Sequence, residues 1–134
     1  MPHTYRLLVA TGHIKCREAI MTVARRHFEE TELYSADTLS QSLDILSNQR
    51  IGLMLLDLDL SGDNQLGNFK EIRQRYPDTS LVVLASDANK ELAPQTMTEG
   101  AAGFILSGLP RDQLIDALEQ VLDGQLYQPS TTDI

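Results

Sequence analysis

Short apolar runs alternate along the chain with segments in which apolar residues recur at intervals of three and four. The runs are continuously apolar, which predicts strands buried on both faces, as in a parallel sheet covered by helices. They comprise Tyr5–Ala10, a weaker run at Thr31–Ser35, Ile51–Leu56, Leu81–Leu84 and Gly103–Leu106. The intervals of three and four predict amphipathic helices between the strands. The recurring residues are Ile20, Val23, Ala24 and His27, then Leu39, Leu43 and Leu46, then Leu66, Phe69, Ile72 (or Arg73) and Tyr76, and last Leu114, Ile115, Leu118, Val121 and Leu122.

Residues that favour helix ends lie between these predicted elements. They are Asp37 and Thr38 before the second helix, Asp63 and Asn64 before the third, Pro77 after it, and Gly100 and Gly124 where helix C-termini are expected. Pro94 falls where a fourth helix is expected, and proline is tolerated only in the first turn of a helix. We therefore predict a short fourth helix that starts near Ala93, after a loop at Asp87–Leu92.

The order of these elements predicts the fold. A β-α unit repeated about five times, with right-handed crossovers between the strands, forms a doubly wound α/β domain. We expect a five-stranded parallel sheet of flavodoxin-like topology with the strand order 2-1-3-4-5. The length of 134 residues fits a single domain. We place that domain at 1–126, and a tail or the start of a linker at 127–134.

Composition narrows the class of protein. The net charge of −8 argues against a nucleic-acid surface on this chain, because affinity for phosphates comes from clustered Lys and Arg. The apolar runs are far shorter than the ~20 residues that span a bilayer, and the N-terminus lacks a signal-peptide profile. A single cysteine, Cys16, excludes an internal disulfide and fits a reducing compartment. We therefore expect a cytoplasmic domain with no membrane partner.

Chemistry in such a sheet gathers at the carboxyl ends of the strands. The polar and small residues that follow the predicted strands are Thr11, Gly12 and His13, then Asp57 and Asp59, then Ala85, Ser86 and Asp87, and finally Ser107 and Gly108. We expect these residues to lie near one another at one edge of the sheet.

Four segments resemble the receiver domains of response regulators. Residues 55–62, LLDLDLSG, resemble the phospho-acceptor segment, and residues 100–106, GAAGFIL, resemble the start of the fifth strand. Residues 7–10, LLVA, with His13 and residues 17–19, REA, resemble the first strand and helix. Residues 123–129, DGQLYQP, are similar to the end of receivers in NarL/LuxR-type transcription regulators. The resemblance implies phosphotransfer to a strand-end aspartate assisted by Mg²⁺, and a DNA-binding helix-turn-helix domain beyond the tail.

The resemblance also assigns site positions, and this sequence keeps only some of them. Asp57 stands at the phospho-acceptor position and Phe104 at the switch aromatic. The other positions carry different chemistry: Thr11 and Gly12 replace the acidic pair, Ala85 the Thr/Ser (with Ser86 next to it), Ser107 the lysine and Ser61 the proline. Loss of charged partners from a phosphoryl-transfer site costs orders of magnitude in rate. We therefore expect an inactive phosphorylation site with no cofactor and little affinity for Mg²⁺.

Several of these site residues allow more than one interpretation of their role. Asp57 is either a phospho-acceptor or a structural carboxylate that caps a loop or bonds Thr11 or Ser107. Asp59 and Asp87 could rebuild a carboxylate cluster around it. His3, His13 and His27 show no metal-ligand spacing, so we predict no metal site built from them.

Two further features of the first helix allow a functional interpretation. Cys16 is either a small packed apolar group or, near the helix start, a thiol whose pKa the helix dipole lowers. The basic residues Lys15, Arg17, Arg25 and Arg26 form either a solvated face or a docking surface for an acidic partner or a second copy.

These observations favour an atypical receiver, not an enzyme, that regulates transcription through protein contacts without phosphorylation. The expected contacts are self-association, such as a homodimer, or a protein partner bound by helix 1 or by the helix 4–strand 5–helix 5 face. One alternative is a conventional Mg²⁺-dependent phospho-acceptor that uses Asp57. Another is a small-ligand-binding flavodoxin-like domain, although no glycine-rich phosphate loop follows the first strand.

Overall fold

The apolar runs and the amphipathic segments form strands and helices in strict alternation. A computed structural model describes residues 5–27, 31–61, 65–125 and 127. Its strands are β1 (Tyr5–Ala10), β2 (Thr31–Ala36), β3 (Leu53–Asp57), β4 (Ser80–Ala85) and β5 (Gly103–Leu106). Its α-helices are α1 (Ile14–His27), α2 (Leu39–Asn48), α3 (Gln65–Arg75), α4 (Ala93–Thr98) and α5 (Arg111–Leu122), and short 3-10 helices span Leu58–Ser61 and Asp87–Leu92.

The strands form one parallel sheet in the order β2-β1-β3-β4-β5. This confirms the predicted doubly wound topology. The register pairs Ala10 with Leu56, and Asp57 with Leu84. Ala85 pairs with Leu106 at the next step. The carboxyl ends of β1, β3, β4 and β5 therefore meet at one edge of the sheet.

Two apolar layers cover the sheet, one on each face. On one face the side chains of Val9 and Leu55 pack against residues of α1 and α5, such as Ile20 and Leu118. On the other face Leu8, Met54 and Leu56 pack with Phe69 of α3 and with Phe104. The central strands are apolar without alternation because both of their faces are buried.

The predicted helix ends are only partly as expected. Thr38 caps α2, since its Oγ1 accepts a hydrogen bond of 3.1 Å from the backbone N–H of Gln41. The Asp37 carboxylate instead pairs with Arg17 of α1, at 2.9 Å. Gly100 and Gly124 have φ of +105° and +85°, the left-handed conformation expected after a helix. The predicted caps Asp63 and Asn64 lie outside the described residues.

The segment before α4 corrects one prediction. The helix starts at Ala93 with Pro94 in its first turn, as predicted. The preceding residues, however, form a 3-10 helix and not a loop. It begins with a hydrogen bond of 3.0 Å from the backbone N–H of Asn89 to the Ser86 carbonyl. Pro94 prevents α4 from starting earlier in the chain. Tight i to i+3 turns of this kind therefore make the connection from β4 to α4.

The predicted bounds of β1 and β5 are confirmed, and those of β2, β3 and β4 differ from the structure by one or two residues. The β3 strand begins at Leu53, whereas the apolar run starts at Ile51. Ile51 is nevertheless buried, and its carbonyl accepts a hydrogen bond of 2.8 Å from the Thr79 hydroxyl. The apolar run therefore extends beyond the strand because the connecting residue is also part of the core.

One residue past the predicted domain boundary contacts the sheet. Tyr127 forms a parallel bridge with Gly103, and its carbonyl accepts a hydrogen bond of 2.8 Å from the Phe104 N–H. Its side chain packs against the core layer formed with α1 and α5. Across the described segments, no helix is long and apolar enough to cross a lipid bilayer.

Candidate functional site

Asp57 is the buried acidic residue at the centre of the carboxyl edge. It ends β3, and only 3% of its surface is exposed. Its Oδ2 accepts a hydrogen bond of 2.8 Å from the hydroxyl of Thr11, and its Oδ1 accepts one of 2.9 Å from the Asp59 N–H. Both carboxylate oxygens are therefore held by neutral donors. Of the structural roles considered for Asp57, the bond to Thr11 is confirmed.

Thr11 is positioned by the end of the neighbouring strand. Its backbone N–H donates to the Ala36 carbonyl at 3.0 Å, which continues the pairing of β1 with β2 by one residue. The side chain is fully buried, and its Oγ1 also accepts from the His13 N–H at 3.1 Å. The Thr11 hydroxyl thus connects the loop after β1 to the carboxylate at the end of β3.

His13 joins Asp57 and Asp59 at this edge, as expected from their positions at the strand ends, but a ligand set made of these three residues was not predicted. Its Nε2 lies 3.8 Å from Asp57 Oδ2 and 3.9 Å from Asp59 Oδ2. One donor atom from each of these three residues lies within 4.8 Å of the others. The sequence spacing of the histidines gave no sign of this. The available signal was the position of His13, just after a strand that pairs directly with β3.

Of the two aspartates predicted to join Asp57 in a carboxylate cluster, one lies in the cluster and one does not. Asp59 joins the cluster, and its Oδ1 accepts a hydrogen bond of 3.2 Å from the Asn89 side chain. The hypothesis that Asp87 also joins is wrong. Its carboxylate is exposed and lies 4.0 Å from Lys90 Nζ, three residues along the same 3-10 helix. Asp87 is the first residue of that helix, and its side chain is 81% exposed.

The remaining predicted positions bring no charge to the edge. The Ser107 hydroxyl donates to the Ala85 carbonyl at 3.3 Å, and Ala85 itself is buried. Ser86 is half-buried and caps no helix through its side chain. Gly12 and Gly108 are exposed loop residues. The side chain of Ser61 lies outside the described residues.

Cys16 lies in the first turn of α1 and is buried. Burial, with a smaller contribution from the negative charge of Asp57, raises the pKa of its thiol to about 11. The hypothesis of a lowered pKa is therefore wrong, and the alternative of a small packed apolar group is confirmed. His3 and the side chain of His27 lie outside the described residues.

Comparison with known proteins decides the family. Residues 7–119 match the family described as Response regulator receiver domain. This chain belongs to that family. The glycerol metabolism activator of Pseudomonas putida is 34% identical over 126 residues, which cover 93% of this chain and 57% of the relative. The receiver spans about half the length of the curated relatives that it matches.

Solved receiver structures match the fold closely at low identity. The isolated REC domain of RcsB from Salmonella enterica serovar Typhimurium, with the phosphomimetic BeF3-, gives a TM-score of 0.78 at 17% identity, covering 96% of this chain and 95% of that one. A LuxR family DNA-binding response regulator from Silicibacter pomeroyi gives a TM-score of 0.72 at 22% identity, covering 95% of this chain and 98% of that one. A structure of two RcsB dimers bound to two parallel DNAs gives a TM-score of 0.75 at 19% identity, covering 96% of this chain and 64% of that one.

The donor set of this receiver is a poor match for the Mg²⁺ ion that the family resemblance implies. Mg²⁺ takes oxygen ligands in near-ideal octahedral geometry. Here the loop after β1 supplies an alcohol, Thr11, that already bonds Asp57, and an imidazole, His13. One nitrogen donor therefore stands beside the carboxylates in place of oxygen ligands.

Removal of the Thr11 hydroxyl tests its structural role. Thr11→Val keeps the shape of the side chain but leaves a buried Asp57 oxygen without that donor. We expect the free energy of unfolding to fall by about 1–3 kcal/mol, the usual cost of an unsatisfied buried polar group. Chemical denaturation measures the change. The matched control is Thr22→Val, because the exposed Thr22 hydroxyl donates to the Glu18 carbonyl within its own helix. A loss no larger than that of the control would refute the structural role.

Proposed function

We propose that this receiver is an atypical signalling module that works without phosphoryl transfer, as the regulatory domain of a NarL/LuxR-type transcription regulator. The observation that carries the proposal is the environment of Asp57. Each of its two oxygens accepts a hydrogen bond from a neutral donor: Oδ2 from the Thr11 hydroxyl and Oδ1 from the Asp59 N–H. Receivers are signalling domains, and we propose no catalytic role for this one.

The electrostatics of phosphoryl transfer support this proposal. Such reactions depend on positive charge placed where the phosphoryl oxygens develop negative charge. At the position that the resemblance assigns to a lysine, Ser107 donates its hydroxyl to a backbone carbonyl. Lys90, on the segment after β4, lies beside Asp87. Among the described residues, the partly exposed His13 is the basic side chain that faces Asp57, at 3.8 Å.

A conventional phospho-acceptor remains the second candidate. The observation in its favour is that the carboxylates of Asp57 and Asp59 lie in one cluster with His13. Two carboxylates together with a phosphate are a common way for a protein to hold Mg²⁺. The family match supports either receiver function over a small-ligand-binding domain.

Intact-mass measurement separates the two candidates. The receiver is incubated with acetyl phosphate and Mg²⁺, with Asp57→Asn alongside as the matched control and an active receiver as the reagent control. We expect no phosphoryl adduct on the wild type, because loss of several charged partners lowers the rate by orders of magnitude. An adduct on the wild type that is absent from Asp57→Asn would overturn the proposal in favour of the second candidate.

We propose a second copy of the receiver as its partner, through the face made by α1 and α5. Lys15, Arg25 and Arg26 on α1 are exposed and pair with no carboxylate among the described residues. The neighbouring α5 carries three acidic residues, of which Asp112 and Asp116 are exposed and Glu119 is half-buried. In a two-fold dimer, α1 of each copy meets α5 of the other, so that every basic patch faces an acidic one. The dimers in the RcsB–DNA structure are consistent with self-association in this family.

Charge reversal on α1 tests this interface. We expect Arg25→Glu/Arg26→Glu to shift the protein towards monomer in sedimentation velocity, and high salt to do the same to the wild type. The matched control is Lys70→Glu/Arg75→Glu on α3, which reverses two charges on the opposite layer of the sheet. Equal dimer fractions in the two double variants would contradict the proposed face.

A further inference from the structure

The cluster at the carboxyl edge combines one imidazole with two carboxylates. His13 Nε2 faces Asp57 Oδ2 at 3.8 Å and Asp59 Oδ2 at 3.9 Å. A charge-assisted hydrogen bond between such groups would be roughly 2.7–2.9 Å long. The imidazole nitrogen therefore points at both carboxylates without a hydrogen bond to either one.

These separations suit a small cation among the three side chains. Ligands bonded to a tetrahedral ion at roughly 2.0–2.2 Å are themselves roughly 3.3–3.6 Å apart. The donor atoms of His13, Asp57 and Asp59 all lie within 4.8 Å of one another. The two gaps from His13 Nε2 to the carboxylates, 3.8 and 3.9 Å, exceed this spacing by a few tenths of an ångström, and rotation of the exposed His13 and Asp59 side chains can close the separation that remains.

The surroundings hold two of the ligands in place. Asp57 is fixed by the Thr11 hydroxyl and the Asp59 N–H, and Asp59 is fixed by the Asn89 side chain. The backbone at His13 is held by its bond to Thr11 Oγ1. Outer-shell contacts of this kind orient metal ligands and raise affinity. Each Asp57 oxygen keeps a second lone pair for an ion, since a carboxylate offers about four acceptor sites.

We propose that His13, Asp57 and Asp59 form a binding site for a first-row transition ion such as Zn²⁺, in preference to Mg²⁺. Imidazole suits Zn²⁺ and its neighbours, whereas Mg²⁺ favours oxygen donors alone. His13 and Asp59 are substantially exposed, with side-chain accessibilities of 60% and 41%, so an ion can enter and water can complete its coordination. This inference goes beyond the proposed function, because metal binding requires no phosphoryl transfer.

Calorimetry with ZnCl₂, and visible absorption with Co²⁺ as the spectroscopic probe, test the site in the full chain. We expect one equivalent of Zn²⁺ to bind the wild type, and Mg²⁺ in large excess not to displace it. His13→Gln and Asp59→Asn should each weaken binding by at least about tenfold. Asp87→Asn is the matched control, since it removes an acid from the same edge but outside the cluster, and it should bind as the wild type does.

Three results would overturn the site. They are no Zn²⁺ binding by the wild type, equal binding by His13→Gln, or displacement of Zn²⁺ by Mg²⁺ at comparable concentration. A thiolate charge-transfer band in the Co²⁺ spectrum would also count against it, because the proposed ligands include no cysteine. Since His13 is exposed, His13→Gln should keep the wild-type melting temperature, and that measurement separates lost binding from lost folding. The proposed absence of phosphoryl transfer is tested by intact mass, whereas the metal site is tested by calorimetry and absorption. Either proposal can therefore fail while the other stands.

Discussion

Replacement of Phe104 by alanine should lower the free energy of unfolding by about 3–5 kcal/mol, the usual cost of truncating a buried phenylalanine. Phe104 lies at the middle of β5 with no exposed surface, packed in the layer that also contains Phe69. Its partners belong to a regular sheet and to α3, so they cannot collapse fully into the space that the ring leaves. In a domain of this size the change corresponds to a fall in melting temperature of roughly 10–20 °C.

The matched control for Phe104 is Ile14→Ala. Ile14 is a large apolar residue that is 64% exposed, and its truncation should change stability by no more than about 0.5 kcal/mol. Denaturant unfolding measures both variants. If Phe104→Ala unfolds within 1 kcal/mol of the wild type, on the order of a surface change, the ring is not a core residue. The side chain at the switch-aromatic position would then be mobile and not fixed in the core.

Cys16 should react with iodoacetamide in the native protein at least about 100 times more slowly than in the unfolded chain at neutral pH, because the thiolate is the reactive species. Burial raises the pKa of the thiol from 9.0 to about 11, and two pKa units reduce the thiolate fraction about a hundredfold. The favourable field at a helix start contributes only about 0.3–1 kcal/mol, less than one pKa unit. Burial therefore outweighs the helix dipole.

The pH dependence of Cys16 has a definite sign. The native reaction should accelerate about tenfold for each pH unit up to about 11, whereas the unfolded chain should level off above 9.0. Because the folded state holds this proton more tightly, its contribution to stability is complete below pH 9.0 and is lost as the pH rises through about 11. The chain has a single cysteine, so mass spectrometry counts the modification directly. Equal native and denatured rates at neutral pH would show that the thiol is accessible and ordinary.

The fold was predictable from the sequence because its signals are local or periodic. Continuous apolar runs mark strands that are buried on both faces, and spacing of three and four marks helices that cover them. Pro94 predicted the short α4 because a proline restricts where a helix can start. Loop conformation was less predictable, as the 3-10 helix at Asp87–Leu92 shows, since several tight turns are compatible with one polar segment.

The sequence by itself determined the order of the elements, the topology of the sheet and the position of Asp57 at the end of β3. Only the tertiary structure decided which of the strand-end side chains meet. It brought His13 and Asp59 to Asp57, turned Asp87 towards Lys90, and buried Cys16 in the α1 layer. The physical reason is that periodicity fixes the face on which a helix or strand residue lies. The direction of a side chain in a loop depends instead on backbone angles and on contacts with segments distant in the chain.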